Sequence, residues 1–239
     1  MAKAGDSVTY RTSSTAAGAT PVTVRYDFST GSYKGASAVV GKVTVNGAGL
    51  STVGYSAIYL DPVTGAALGN DAVAPGASDT IIAYQPADWQ GRLANAGIQG
   101  GSSGKIDVTA TISGKSVSDG FAPLGGATAV VIKYQFVVNR DANETVTTPA
   151  GSFANSCKFR VSFAVQDFQV QGPAASSPLL ASLLPLLKPN FAVPTDVTLW
   201  STNAVPFLYP KAVTVSSFPA PVGSITATQE LTAVVLAPR

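Results

Sequence analysis

Apolar and polar positions alternate with a period of two along most of the chain. In Val22–Ser29, Val22, Val24, Tyr26 and Phe28 share one face, while Thr23, Arg25 and Asp27 share the other. Successive side chains of a strand point to opposite faces, so this pattern predicts a half-buried strand. The same reading predicts strands at Ser7–Thr12, Ala38–Val45, Leu50–Leu60, Thr80–Tyr84 and Ile106–Ile112. It recurs at Val130–Val138, with Ile132, Tyr134, Phe136 and Val138 on one side. Thr145–Thr148 and Lys158–Val165 follow, the latter with Phe159, Val161, Phe163 and Val165 in phase and Asp167–Gln171 as its extension. Thr195–Trp200, Lys211–Ser216 and Ile225–Leu236 complete the series.

Between these runs lie turn signals: Gly47 with Gly49, Asp61–Gly65, Asn139–Asn143 and Pro149-Ala150-Gly151. Ala66–Asp79 is small and polar and reads as loop, Ser116–Gly120 has weak strand character, and Ala87–Ala96 reads as a short helix. The sum is a mainly β chain: a curved antiparallel sheet, half-barrel or sandwich with one or two short helices. Pro123–Gly126 marks a break between a β-rich half at 1–125 and a second at 126–239, within two domains or one continuous one.

One segment departs from this pattern. Ser177–Lys188, SPLLASLLPLLK, is leucine-rich and reads as a helix, with Ser177 as its cap and Pro178 in its first position. Pro185 is expected to kink or end it. The leucines surround the axis, so the segment needs a cover, either the sheet, a lipid or another chain. Leu180, Leu183, Leu184 and Leu187 are the candidate ligand-binding residues, with Trp200 and Phe207 as neighbours adding to the same apolar surface.

Composition narrows the chemistry. Charged residues make up only 12% of the 239, and all thirteen acids are Asp except Glu144 and Glu230, which disfavours long helices. The net charge is +2 without a basic run, which argues against nucleic-acid binding. The absence of histidine removes Ser-His-Asp and Cys-His catalysis and the metal sites built on His. Cys157 alone forms no intramolecular disulfide, and in a regular strand Lys158 faces away from it. Asp141 with Glu144, or Asp88 beside Trp89, are the carboxylates left for a glycosidase-like site, and spacing alone does not make either pair converge. The reading is therefore non-enzymatic, with no cofactor and no metal. No apolar run approaches the ~20 residues that span a bilayer. The chain opens in strand-like sequence, so an export signal removed upstream is expected.

Glu144–Phe153, ETVTTPAGSF, is followed in order by Thr198-Leu199-Trp200, Pro210-Lys211 and Glu230-Leu231. This ordered set resembles a pattern of exported, uncharacterised β-rich proteins of Gram-negative bacteria. It covers about Val130 to Leu236, with Gly5–Tyr10 similar to their opening. Ser201–Tyr209 stands where those proteins carry a glycine-rich loop, and the leucine segment is longer here. The resemblance implies a periplasmic or outer-membrane-associated protein. Its sheet would be similar to the half-barrel of periplasmic lipoprotein carriers, wrapped around a helix, with no catalytic residues. Together these readings favour an exported protein that binds an apolar or amphipathic, lipid-like ligand on a concave sheet. Peripheral membrane association is compatible with that. The competing reading is an envelope structural or surface-interaction module with a protein partner and no small-molecule ligand.

Overall fold

A computed structural model describes residues 1–47, 56–65, 67–71, 80–86, 88–89, 92–93, 104–191, 193–205, 209–218 and 220–238. In chain order the strands are β1 (Ser7–Ser14), β2 (Val22–Tyr33), β3 (Ala36–Asn46), β4 (Ala57–Leu60), β5 (Ala67–Asp71), β6 (Thr80–Gln85) and β7 (Gly104–Gly114). They continue with β8 (Ala129–Arg140), β9 (Glu144–Thr148), β10 (Gly151–Gln171), β11 (Thr195–Ser201), β12 (Lys211–Ser217) and β13 (Ser224–Val235). Two α-helices have both ends described, α1 (Lys115–Gly120) and α2 (Pro178–Phe191), with short 3-10 helices at Ala122–Leu124 and Pro173–Ser176.

All thirteen strands belong to one antiparallel sheet of order β5-β4-β3-β2-β1-β13-β12-β11-β10-β8-β7-β6, with β9 paired to the start of β10. The sheet curls into a nearly closed, barrel-like form, so the chain is mainly β as the alternation predicts. Both halves of the chain build it: β1 pairs β13, and β7 pairs β8.

Register places the apolar faces inward. Phe136 and Val138 of β8 lie opposite Phe163 and Val161 of β10, and Val108 of β7 lies opposite Tyr134. An irregularity between Val165 and Asp167 shifts the phase of β10, so Phe168 and Val170 turn inward in place of Asp167 and Gln169. The buried side chains form three clusters. One lies under β1–β4 and β13 around Tyr10 and Tyr26, with Phe153 and Val205 packed on it. The second gathers Val108, Phe136, Phe159, Val161 and Leu199. The third joins Phe168 and Val170 to the connections at one end of the barrel through Val117, Ala174 and Leu180.

Three expectations are corrected. Ala67–Asp71 is a strand, not loop: it pairs β4, and the Tyr59 hydroxyl donates to Asp71 at 2.5 Å. Gly69 fits there because a Cβ would collide with the Tyr33 ring, which lies 4.8 Å from that of Tyr59. Lys115–Gly120 is helical. Gly114, at φ 111°, breaks the strand before it, and Lys115 pairs with Asp119 one turn on. Pro185 does not end α2, which runs on to Phe191. The ring removes the amide that would meet the Ala181 carbonyl and crowds that carbonyl, and packing of Leu180 and Leu184 on the third cluster offsets the cost. Leu50–Ser56 falls mostly outside the described residues, as does most of the helix expected at Ala87–Ala96, of which Trp89, Arg92 and Leu93 are helical.

Candidate functional site

The inner face carries an open pocket of about 220 Å³ between the second and third clusters. Its floor is Ile132 and Tyr134 of β8 with Phe163 and Val165 of β10. Thr195 and Ser216 make its polar wall. They are cross-strand partners on β11 and β12, with hydroxyls 3.3 Å apart. Val193 and Phe218 stand at the strand ends beside them. Burial raises the pKa of the Tyr134 phenol, so the pocket holds a neutral hydroxyl at ordinary pH. Chemically this is an apolar cup with hydroxyl groups at one side.

The leucine helix leaves β10 at the same end of the barrel and returns the chain to β11. The Ser177 hydroxyl accepts the Leu180 amide at 3.4 Å and its carbonyl accepts the Ala181 amide at 3.0 Å, so Ser177 caps α2. The candidate leucines divide between two faces. Leu180 is 3% exposed and Leu184 packs beside it, both against the third cluster. Leu183 is exposed together with Leu179 and Leu186, four and three residues apart, which is one helical face. Leu187 lies in α2, but its side chain is outside the described residues, as is all of Phe207.

Trp200 does not join them. It is register-paired with Lys158 and Lys211 on the outer face, whereas Thr195, Val197 and Leu199 of the same strand face inward. It also sits five residues along β11 from Thr195, about 16 Å at ~3.3 Å per residue. Its indole Nε1 donates to Glu144 Oε1 at 2.5 Å, and Lys158 Nζ lies 3.2 Å from that carboxylate and 5.4 Å from the indole centroid. The Trp200 hydrogen bond first, and Lys158 second, hold the Glu144 carboxyl below its usual range.

The outer face around Trp200 is a lattice of such pairs. Asp141 accepts from Arg160 at 3.0 Å, and Lys211 lies 2.7 Å from Glu230. Beneath it the Pro210 carbonyl accepts the Leu231 amide at 2.9 Å, and the Leu231 carbonyl accepts the Ala150 amide at 3.1 Å. The segments of the ETVTTPAGSF, TLW, PK and EL pattern therefore meet in space. Asp141 and Glu144 are each bound to a cation rather than turned to a shared cleft. Cys157 is a half-buried thiol outside any disulfide, paired in register with Ser201. Among the described residues no group of three His, Cys, Asp or Glu side chains is placed to hold a metal ion.

The pocket residues were half legible. The alternation of β8 and β10 puts Ile132, Tyr134, Phe163 and Val165 on faces that pairing then joins. Thr195, Ser216 and Phe218 carry no sequence signal of their own. Comparison with family models, with curated proteins and with solved structures found no match.

Proposed function

We propose that this chain is a non-enzymatic, exported protein that takes an apolar or amphipathic ligand on the concave face of its sheet. The apolar cup between β8, β10, β11 and β12, with hydroxyl groups on one wall, carries this reading. Its volume sets the ligand's size. At about 220 Å³ it exceeds the ~150 Å³ apolar cavity that admits benzene and is smaller than the ~300 Å³ of drug-sized pockets. A single ring or a short stretch of alkyl chain fits, with its polar head at Thr195 and Ser216. A long acyl chain would seat only one end there. Export is supported by the resemblance of the Glu144–Leu231 segments, and a non-enzymatic role by the cations that neutralise the candidate acids Asp141 and Glu144.

Calorimetric titration with decanoate and with 1-decanol tests the reading. Saturable binding is expected, lost in Val165→Trp, which fills the cup, and weakened about tenfold in Thr195→Val, which removes one hydrogen-bonding hydroxyl. Absence of binding, or equal binding by Val165→Trp, overturns the ligand reading and favours a structural envelope module.

A further inference from the structure

The two ends of the barrel differ in chemistry. One end carries both chain termini. Its connections include Lys3, Asp6, Lys34, Asp61, Asp88, Arg92 and Asp141. The other end carries α1, α2 and the β1–β2 and β12–β13 connections. Across its described stretches 15–21, 115–128, 172–191 and 220–223, the charged residues are Lys115, Asp119 and Lys188. The first two pair with each other.

Exposed apolar side chains follow the opposite trend. Of the nine large hydrophobic side chains exposed among the described residues, five belong to this charge-poor end: Leu179, Leu183, Leu186, Phe218 and Val222. Leu186 is 69% exposed and Val222 59%. Leu179, Leu183 and Leu186 form the outer stripe of α2, and Phe218 stands at the pocket.

We infer that this end of the barrel docks on an electrically neutral lipid surface, with the outer stripe of α2 and the β12–β13 turn seated among the headgroups. The extent of charge depletion selects a bilayer over a second protein. A protein interface keeps a polar, charged rim around its apolar centre. Here the depletion covers every described connection at this end, and charge resumes on the strands, as at Asp71 closing β5, Asp196 of β11 and Lys133 with Asp167. Asp196 is the second residue of its strand, so that belt stops insertion at the connections. A depth of ~5–10 Å, usual for interfacial helices, seats α2 and no more. At 14 residues α2 is too short to cross, where ~20 are needed, so it lies on the surface. The near-neutral sum of charges at this end leaves anionic lipid no role. The docking surface opens beside the pocket mouth and shares only Phe218 with it; the stripe Leu179, Leu183 and Leu186 and Val222 lie outside the pocket lining, so the inference does not depend on the ligand reading.

Co-sedimentation of the full chain with phosphatidylcholine vesicles tests the inference. The parent is expected to bind, without loss on raising salt. Leu179→Ser/Leu183→Ser/Leu186→Ser should weaken partitioning by about 100-fold, and Val222→Ser by several-fold, because each removes apolar area that the lipid would bury. Val63→Ser, at a more exposed valine at the opposite end, should bind as the parent does. Decanoate titration of the triple variant should stay at the parent value, which separates this inference from the pocket reading. The inference is overturned if the parent ignores the vesicles, if the triple variant still binds, or if sedimentation shows a dimer that the serine substitutions dissolve.

Discussion

Replacing Leu180 by alanine separates the two faces of α2 by energy. Leu180 is 3% exposed and packs with Val117, Phe168 and Ala174, whereas Leu183 is 37% exposed on the outer stripe. Truncating a fully buried leucine costs the lost transfer energy plus the cavity left behind, about 2–5 kcal/mol. Alanine is the better helix former, so propensity pulls slightly the other way and cannot produce such a loss. Leu183→Ala removes side chain that water already reaches and should cost about 0.5 kcal/mol or less. For a chain of this size about 2–4 °C of melting temperature accompanies each kcal/mol, so Leu180→Ala should melt roughly 4–20 °C below the parent. Guanidinium denaturation followed by circular dichroism gives the same comparison as a midpoint at constant slope. If Leu180→Ala costs less than about 1 kcal/mol, or Leu183→Ala costs more than Leu180→Ala, the helix does not bury the face assigned to it.

Three further outcomes are expected. In a Trp89→Phe background the fluorescence of Trp200 should titrate with Glu144. The depressed carboxyl pKa means that the bond and its stabilisation persist above the ordinary value of 4.5 and are lost only as pH falls through a lower midpoint; a midpoint at or above 4.5 refutes the contact. Asp6 is 1% exposed and accepts the Lys3 and Ala237 amides at 2.8 Å each, tying the two termini together. Asp6→Ala should therefore cost about 3–6 kcal/mol in equilibrium denaturation, from two bonds to a charged acceptor at ~1.5–3 kcal/mol each, and a loss below 1 kcal/mol would contradict the clamp. The Tyr59 phenol, raised to about 12 chiefly by its bond to Asp71, should return towards 10 in Asp71→Asn when followed by tyrosinate absorbance. Its raised value contributes stability that is full below the unfolded value and lost between about 10 and 12, so the substitution should leave stability less dependent on pH in that window.

The strands that could be read from sequence are those whose side chains themselves discriminate inside from outside. Val22–Phe28 and Phe159–Val165 alternate bulky apolar with polar residues, and both lie in the sheet as that alternation requires. The sequence ALGND of β5 has no such contrast; its strand character comes from β4 and from the Tyr33 and Tyr59 rings beside Gly69. The helicity of Lys115–Gly120 depends on a glycine backbone angle and one ion pair, neither of which has a period, so Ser116–Gly120 shows only weak strand character in sequence. In β10 the irregularity near Gln166 was present as a change of phase, from odd apolar positions up to Val165 to even ones at Phe168 and Val170. Only closeness in sequence joins Trp200 to the leucines. The alternation of Val197 and Leu199 against Trp200 already placed it on the other face. The pocket needs β10, β11 and β12 side by side, and that neighbourhood depends on pairings across a 23-residue connection that no local pattern specifies.

The same pairings explain what an ordered sequence pattern can carry. Glu144, Trp200, Lys211 and Glu230 belong to four strands, yet they form one outer seam. The indole and Lys158 hold Glu144, and Lys211 next to Trp200 holds Glu230. Leu231, fully buried, bonds through its backbone to Pro210 and Ala150 under that seam. A substitution at any of these positions strains its partners on the neighbouring strands, so the residues are coupled by packing and hydrogen bonding alone. None of them lines the pocket, which lies on the opposite face of the sheet and towards the other end of β11. A shared pattern of this kind thus transmits the register of β9 to β13, and with it the curvature that makes a concave face. The proposed ligand would meet Tyr134, Phe163, Val165, Thr195 and Ser216, none of which belongs to the pattern. On the proposed reading the seam shapes the sheet and the cup meets the ligand, so substitution in the cup, and not in the seam, should change binding directly.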